Sequence, residues 1–471
     1  MVTTNDRRPT TLSYETALAQ MYALGHELAA TPSHKFDLAH MRVLLGALGH
    51  PEKSLQCVLI AGTNGKGSTA ATLASILQAS GLKTGLYTSP HLVRINERIC
   101  VNGSSIKDDE FALLHDVVDR TAERLVGEGE LPWHPSFFEM LTAMAFEYFA
   151  RSRPDVVVLE VGMGGRLDAT NVVDPRISVI TDISLDHQKY LGNTVGEIAR
   201  EKVGIIRPGG VVVTLPQMPD ANDVIGNAIL DLGARAISAV AYVPPVSPGS
   251  AEFWENAAKT FTTGVTEEIT GPRSRYPLQV MGQQIMVESP LMGRHQLRNI
   301  ALAIAAAEEL RNQGFGGITA STIERGIRET HWPGRFQVVP ARDGGPEIVL
   351  DVAHNPAGAW ALRSTLSAAY EDRPVTMVFG VMRDKAVSEV TEILFPIAER
   401  VVLTQANNPR SATPVEIRQA ASRVEVDIRQ VAEVDSALTE ARRIAGPGGL
   451  VVVTGSIYIV GEAMLALGAS I

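Results

Sequence analysis

Ala61-Gly62-Thr63-Asn64-Gly65-Lys66-Gly67-Ser68-Thr69 lies between an apolar run, Val58-Leu59-Ile60-Ala61, and a run of helix formers from Ala70 to Leu77. The order is strand, tight loop, helix. Three glycines let the backbone curl so that successive N–H groups point inward. The helix N-terminus behind them carries partial positive charge, and Lys66 adds a full one. A nest of this kind holds polyphosphate, so a nucleoside triphosphate is expected at this turn. The fit to the general pattern G-x-x-x-x-G-K-[ST] is imperfect. The chain has Ile60 where the pattern asks for glycine, and Gly67 where it asks for a hydroxyl, which is delayed to Ser68. A plain glycine-rich turn would explain the glycines, but not a lysine at a helix start, which has little packing purpose.

Upstream, Leu38, Met41, Leu44, Leu45 and Leu48 recur at helical spacing until Gly49-His50-Pro51 stops the run, so residues 12–50 read as helices. Downstream, Lys83–Tyr87, Asp155–Glu160, Ile177–Asp182 and Val211–Thr214 read as strands, and Asp108–Leu125, Phe137–Phe149 and Leu291–Leu310 as helices. Continuous apolar strands separated by helices indicate a mainly parallel sheet covered on both faces. The tract 244–275, rich in Pro, Gly, Ser and Thr, reads as a surface excursion. At His331-Trp332-Pro333-Gly334-Arg335 the chain changes domains. A second α/β rhythm follows, with strands at Glu347–Leu350, Val375–Phe379, Val401–Thr404 and Leu450–Thr454. The expected architecture is an N-terminal P-loop ATPase domain, residues 1–331, and a smaller Rossmann-like α/β domain, residues 332–471.

Composition narrows the function classes. Apolar residues make up 45% and charged residues 20%, as in globular proteins of ordinary solubility. The net charge is −10 with no long Lys/Arg cluster, which argues against nucleic acid as a partner. Two cysteines, Cys57 and Cys100, argue against a disulfide framework and for a reducing cytoplasm. The polar N-terminus is no signal peptide, and no apolar run approaches the ~20 residues of a membrane helix.

Ligands of open α/β sheets sit at the carboxyl ends of strands, and polar clusters fall at such ends here. Thr88-Ser89-Pro90-His91 follows one strand, and Thr181-Asp182-Ile183-Ser184-Leu185-Asp186-His187 another. Glu160 closes an apolar strand, and Asp351-Val352-Ala353-His354-Asn355-Pro356 follows Ile348–Leu350. Glu160 reads either as a solvated strand end or as a ligand, direct or through water, of a Mg²⁺ ion bridging the phosphates. Ser89 would add a hydroxyl oxygen, and His187 a nitrogen at a second ion site. The glycines of Gly162-Met163-Gly164-Gly165 do not complete a dinucleotide fingerprint, because position 167 is leucine. They are expected to bring the backbone close to a ligand. Lys202, near a helix C-terminus, reads equally as a favourable dipole partner and as a functional cation.

These residues carry a resemblance. AGTNGKGST (61–69), YTSPHL (87–92), FFEMLTAMAF (137–146), LEVGMGGRLDATN (159–171), TDISLDHQKYLGNT (181–194) and IAREKVGIIRPG (198–209) occur in order with GRHQLRNIALA (293–303), WPGRF (332–336), DVAHNPAG (351–358), GVMRDK (380–385) and VTGSIYIVGEA (453–463). In sequence and spacing the chain resembles the folylpolyglutamate synthase/dihydrofolate synthase family of the Mur ligase superfamily, from about residue 36 to 463. One departure is Val352, where the family usually has glycine. The resemblance implies roles. Thr63, Asn64, Gly65, Lys66, Gly67 and Ser68 would hold the phosphates of ATP, with Asn299, Arg335 and Asp351 completing the nucleotide site. Ser89, Glu160 and His187 would be ligands at two Mg²⁺ sites, and Lys202 the family's carbamoylated lysine. His354 would sit near the incoming L-glutamate and, with Asp351, help orient or deprotonate its ammonium. Ser456 is a second candidate for the same amino acid. Phe138, with Phe137 and the loop after His91, is a candidate for the slot that takes the aromatic end of folate or dihydropteroate.

The implied chemistry is an ATP-dependent amide ligation through an acyl phosphate by a cytoplasmic monomer. Two rival readings remain at this point. One is a peptidoglycan-type Mur ligase, which usually carries a separate N-terminal domain before the phosphate loop. The other is a nucleotide switch whose hydrolysis drives a partner and needs no carboxylate acceptor.

Overall fold

A computed structural model describes residues 12–25, 38–245, 272–341 and 344–469. Strands β1 (Cys57–Ala61), β2 (Thr84–Tyr87), β3 (Ile99–Val101), β4 (Ser104–Ser105), β5 (Val156–Glu160), β6 (Ile177–Ile180), β7 (Val211–Thr214) and β8 (Arg235–Ser238) form one sheet. Its order is β4-β3-β2-β5-β1-β6-β7-β8. From β2 to β8 neighbouring strands are parallel, and only β3 and β4 at one edge run antiparallel.

The central strands β1 and β5 are buried along their whole length. That explains their unbroken apolar runs: helices cover both faces, so no side chain has a polar side to point to. One face packs on helices Leu38–Ala47, Asp108–Gly127 and Phe137–Ser152. The other packs on Lys66–Ala79, Arg294–Asn312 and Ala320–Arg328. Each fully buried Val, Leu or Ile contributes about 1.5–3 kcal/mol, enough for the cores to set the strand register. Leaving β1, the chain crosses to β2 on one side, and later enters β6 on the other side of β1. Such a reversal opens a crevice at the carboxyl end of β1, where the phosphate loop lies.

A hairpin, β9 (Ser274–Val280) and β10 (Gln283–Ser289), precedes the second sheet. That sheet contains β11 (Gln337–Val339), β12 (Glu347–Leu350), β13 (Val375–Phe379), β14 (Arg400–Leu403), β15 (Asp427–Gln430) and β16 (Leu450–Thr454). The order is β11-β12-β16-β13-β14-β15, parallel except for the edge strand β11.

The structure corrects several sequence expectations. Most of the tract read as a surface excursion, 246–271, lies outside the described residues, as does 26–37 of the N-terminal helical region. Ser274 and Arg275 belong instead to β9, whose alternating burial is a half-covered strand. The helix expected from Leu291 starts at Arg294. Gly293, with φ +102°, turns the chain there, and Leu291 and Met292 are buried ahead of the helix. Strands β3, β4 and β8 escaped the sequence reading because they are two to four residues long at or near the sheet edges, and β4 and β8 are largely exposed. Among the described residues, no helix is long and apolar enough to cross a membrane.

Candidate active site

The phosphate loop is pinned to its neighbour β6. The Thr63 and Asn64 backbone N–H groups both donate to the Asp182 carbonyl, at 2.9 and 3.2 Å. Thr63 Oγ1 donates to the Ser184 carbonyl at 3.0 Å, and Thr181 Oγ1 donates to the Asn64 carbonyl at 2.8 Å. Gly65 takes φ +89°, a left-handed conformation that costs glycine nothing. Asn299 fills the space where a side chain on Gly65 would go, and its amide donates to Gln296 Oε1 at 2.8 Å. Lys66 Nζ folds back to the Thr63 carbonyl at 3.1 Å. Ser68 is buried in the first turn of the helix Lys66–Ala79.

Glu160 is 4% exposed at the end of β5. Its Oε2 accepts the Ser89 N–H at 3.2 Å and borders Gly67. His187 lies on the loop after β6 with φ +50°. Burial, then the charge of Lys385, push its imidazole down to about 4, so the ring is neutral near pH 7 and keeps a nitrogen lone pair. Among the described residues, no three His, Cys, Asp or Glu side chains converge as a ready-made metal cage. A hard divalent ion needs none: it is held by one or two protein oxygens, with water and phosphate completing its shell. Ser89 and Glu160 fit that oxygen-donor chemistry, and neutral His187 offers a nitrogen for a second ion site.

Lys202 is 3% exposed, and its Nζ donates to the Gly62 carbonyl at 2.7 Å, directly behind the phosphate loop. Burial and, less, the charge of Lys66 bring its ammonium down to about 7. A substantial fraction is therefore free amine at neutral pH.

A polar bridge joins the two lobes above the strand ends. Lys385 Nζ pairs with Asp186 Oδ1 at 2.8 Å, with both side chains nearly buried. Asn355 Nδ2 donates to Asp186 Oδ2 at 3.2 Å and to Asn64 Oδ1 at 3.0 Å. Burial opposes ionisation of Asp186, but His354, Lys385 and His187 together hold its carboxyl far below the usual range. His354 Nδ1 lies 2.9 Å from the Val352 carbonyl, which can only accept, so Nδ1 carries the proton. The other ring nitrogen, Nε2, lies 3.8 Å from Asp186 Oδ2.

Asp351 is held by backbone donors. One oxygen accepts the Phe336 N–H and the other the Ala353 N–H, both at 2.9 Å, so it braces the interlobe segment. Burial raises its carboxyl, and it does not line the main cavity. Arg335 sits beside it, and burial lowers its guanidinium. Ser456 caps the helix Ile457–Leu467, its Oγ accepting the Tyr458 N–H at 3.2 Å.

A cavity of about 590 Å³ opens between the lobes. Phe137, Phe138, Gly162, Met163 and Asp168 wall one end, while Ser89 and His187 lie along it. Arg335, His354, Lys385, Arg410 and Ser456 line the C-terminal side. The volume suits a ligand of drug-like size, apolar at one end and anionic at the other. The loop after His91 lines a separate cavity of about 210 Å³ instead. The glycine cluster is also corrected in part. A Cβ on Gly162 would meet the Phe138 ring at 2.6 Å, and one on Gly165 the Glu201 carbonyl at 2.9 Å. These glycines let the protein close on itself, although they also line the cavity. The residues that sequence reasoning missed are Asp186, Lys385, Asn355 and Arg410. All but Arg410 stood inside the quoted motifs, but only folding shows that they meet across the lobes.

Comparison with known proteins agrees with this architecture. Residues 139–307 match the Mur ligase middle domain, and residues 334–457 match the Mur ligase glutamate ligase domain. The chain is 33% identical to a Bacillus subtilis dihydrofolate synthase/folylpolyglutamate synthase, over 91% of this chain and 94% of that protein. The structure of Mycobacterium tuberculosis folylpolyglutamate synthase complexed with ADP and AMPPCP superposes with a TM-score of 0.83 at 30% identity, covering 96% of this chain and 99% of that one. Escherichia coli FolC in complex with DHPP and ADP gives 0.79 at 28% identity, covering 97% and 98%.

Proposed function

The chain belongs to the dihydrofolate synthase/folylpolyglutamate synthase family of Mur ligases, and on that premise we propose that it couples ATP cleavage to attachment of L-glutamate to dihydropteroate and to the γ-carboxylate of folates. The observation that carries the reading is the bridge from Asn64 through Asn355 and Asp186 to Lys385. It fastens the phosphate loop of one lobe to Lys385 of the other, and Lys385 lines the cavity that also carries Phe137 and Phe138. A nucleotide switch has no use for such an acceptor cavity.

A carboxylate is a poor electrophile. Transfer of the γ-phosphoryl group of ATP makes it an acyl phosphate, the glutamate amine attacks the carbonyl, and phosphate leaves. The protein's work is positioning and charge neutralisation. We assign Lys66, the N–H groups of Thr63–Ser68 and Arg335 to the phosphates, and Asn299 to the nucleotide beside Gly65. Ser89, Glu160 and His187 would hold Mg²⁺, which supplies electrophilic assistance at the phosphoryl oxygens. Lys202 is our candidate for carbamoylation: its free amine is the form that adds CO₂, and its place behind the loop suits an anion facing cations. Phe138 offers a flat surface to the pterin end. Lys385 and Arg410, paired here with Asp186 and Asp384, would be shared with the two carboxylates of glutamate, and Ser456 adds a hydroxyl.

His354 is the group best disposed to orient or accept a proton from the glutamate ammonium, through Nε2. Asp351 acts behind it by fixing the backbone between Phe336 and Ala353. Two lobes, divided near 331/332, close over the intermediate and keep water from hydrolysing it. We propose that it acts as a monomer. Two unpaired cysteines suit a cytoplasmic enzyme.

The test offers ATP, Mg²⁺ and glutamate with dihydropteroate or tetrahydrofolate and reads product masses. Each acceptor is expected to gain one glutamyl residue. ADP release that ignores both acceptor and glutamate would overturn the assignment.

A further inference from the structure

Phosphate-loop patterns place a hydroxyl where this chain has Gly67. The structure supplies a reason. A Cβ on Gly67 would lie 2.7 Å from Trp332 Cζ2, 3.2 Å from Trp332 Cε2 and 3.3 Å from Glu160 Oε2. The indole of the interlobe segment therefore rests on the backbone of the loop's first helical turn. The Glu160 carboxylate borders the same space. Cε2 is the carbon bonded to the indole nitrogen, so Nε1 lies one bond from this contact. Trp332 Nε1 is buried and has no hydrogen-bond partner among the described residues. An orphaned donor costs about 1–3 kcal/mol, and each one in a native structure calls for an explanation.

The segment carrying Trp332 has little slack. Ser75 Oγ, on the helix behind the phosphate loop, donates to the Gly326 carbonyl at 2.7 Å, and Thr330 Oγ1 donates to the same carbonyl at 3.0 Å. Downstream, the Val352 N–H donates to the Gly334 carbonyl at 3.1 Å, fastening the segment to the second sheet. Just past the second anchor, the Arg335 guanidinium carbon lies 5.8 Å from the Trp332 ring centroid. A ring that shifts at Gly67 must therefore move against Arg335 and the root of the C-terminal lobe.

The geometry points to Trp332 as a positioning residue whose indole N–H donates to an anionic oxygen of the nucleoside triphosphate seated at Gly67, and so fixes Arg335 and the closed lobes while the acyl phosphate is exposed. This rests on the ATP-dependent ligase reading. It goes further in giving the orphaned donor, and the glycine at position 67, one shared purpose. Trp332 does not touch the reacting carbonyl. It acts through the hinge.

The test compares the full-length enzyme with Trp332→Phe, which keeps a ring but removes the N–H, and Trp332→Leu, which removes the ring. Three quantities are read: kcat/KM for ATP, KM for dihydropteroate, and moles of ADP released per mole of amide formed. Thermal denaturation checks folding. Trp332→Phe is expected to lose roughly tenfold in kcat/KM for ATP and Trp332→Leu roughly a hundredfold, the scale of a small misplacement. The KM for dihydropteroate stays put, and the ADP-to-amide ratio rises above one because loosened lobes admit water. Wild-type kcat/KM and a ratio of one in Trp332→Phe would overturn the proposal. So would losses in Trp332→Leu that fall equally on ATP and dihydropteroate and track a lowered melting temperature, since that pattern marks packing alone. If the unmodified enzyme released no acceptor-dependent ADP, the ligase reading itself would fail, and the two failures are thus distinct.

Discussion

Replacing Lys202 by methionine should stabilise the protein while crippling it. The ammonium of Lys202 is brought from 10.5 to about 7 by burial, and to a smaller degree by Lys66. Between those two values the unfolded chain holds a proton that the native chain has shed, so native stability falls as pH is lowered through that window. At pH 7 the penalty is about 4 kcal/mol, and at pH 9 about 2 kcal/mol, since each pKa unit is worth about 1.4 kcal/mol. Methionine fills nearly the same volume without the penalty, but forfeits the hydrogen bond to the Gly62 carbonyl, worth about 1 kcal/mol. The variant should therefore gain about 3 kcal/mol at pH 7 and only about 1 kcal/mol at pH 9. Equilibrium denaturant unfolding in CO₂-free buffer at the two pH values reads this difference directly. Parallel pH dependence in the two proteins would refute a deprotonated buried amine. Adding bicarbonate should raise wild-type activity and leave the variant's low activity unchanged, because only lysine can form the carbamate.

Lys66→Ala should abolish measurable turnover, a loss of at least about a thousandfold, with an unchanged circular dichroism spectrum, because among the described residues its Nζ hydrogen-bonds to the Thr63 carbonyl alone; substantial residual activity would remove it from the phosphate site. Glu160→Gln should shift the Mg²⁺ concentration for half-maximal rate upward by roughly tenfold, and an unshifted titration would exclude it as a ligand. Lys385→Ala leaves Asp186 without its charged partner in the interlobe bridge, so the KM for glutamate should rise roughly a hundredfold while the KM for ATP changes little. A pure kcat effect there would contradict a glutamate-binding wall.

The fold was legible wherever burial made the pattern unambiguous. The fully buried strands β1, β5 and β6 left continuous apolar runs, and the helix Phe137–Ser152 was legible from its apolar residues. The hairpin β9–β10 was not legible, because polar residues alternate outward in β9 and hide it in a Ser- and Arg-containing tract. The site was legible where one loop carries its own chemistry, as from Thr63 to Ser68. It was not legible where chemistry arises between distant segments. Nothing in the sequence near Asp186 indicates that Lys385, some two hundred residues on, neutralises it. The role of Gly67 was hidden for the same reason, since its reason to be glycine is the indole of Trp332. The contacts of Asp351 were hidden too: both its oxygens accept backbone N–H groups, from Phe336 fifteen residues before it and from Ala353.

Central to the proposed function is transfer of the terminal phosphoryl group of ATP to the acceptor's carboxylate before the amide forms. Dihydropteroate labelled with ¹⁸O in its carboxylate tests this directly, by mass analysis of the phosphate released during turnover with glutamate. One labelled oxygen should appear in the phosphate for each amide made. Phosphate carrying no label, with amide accumulating at the same rate, would contradict the claim.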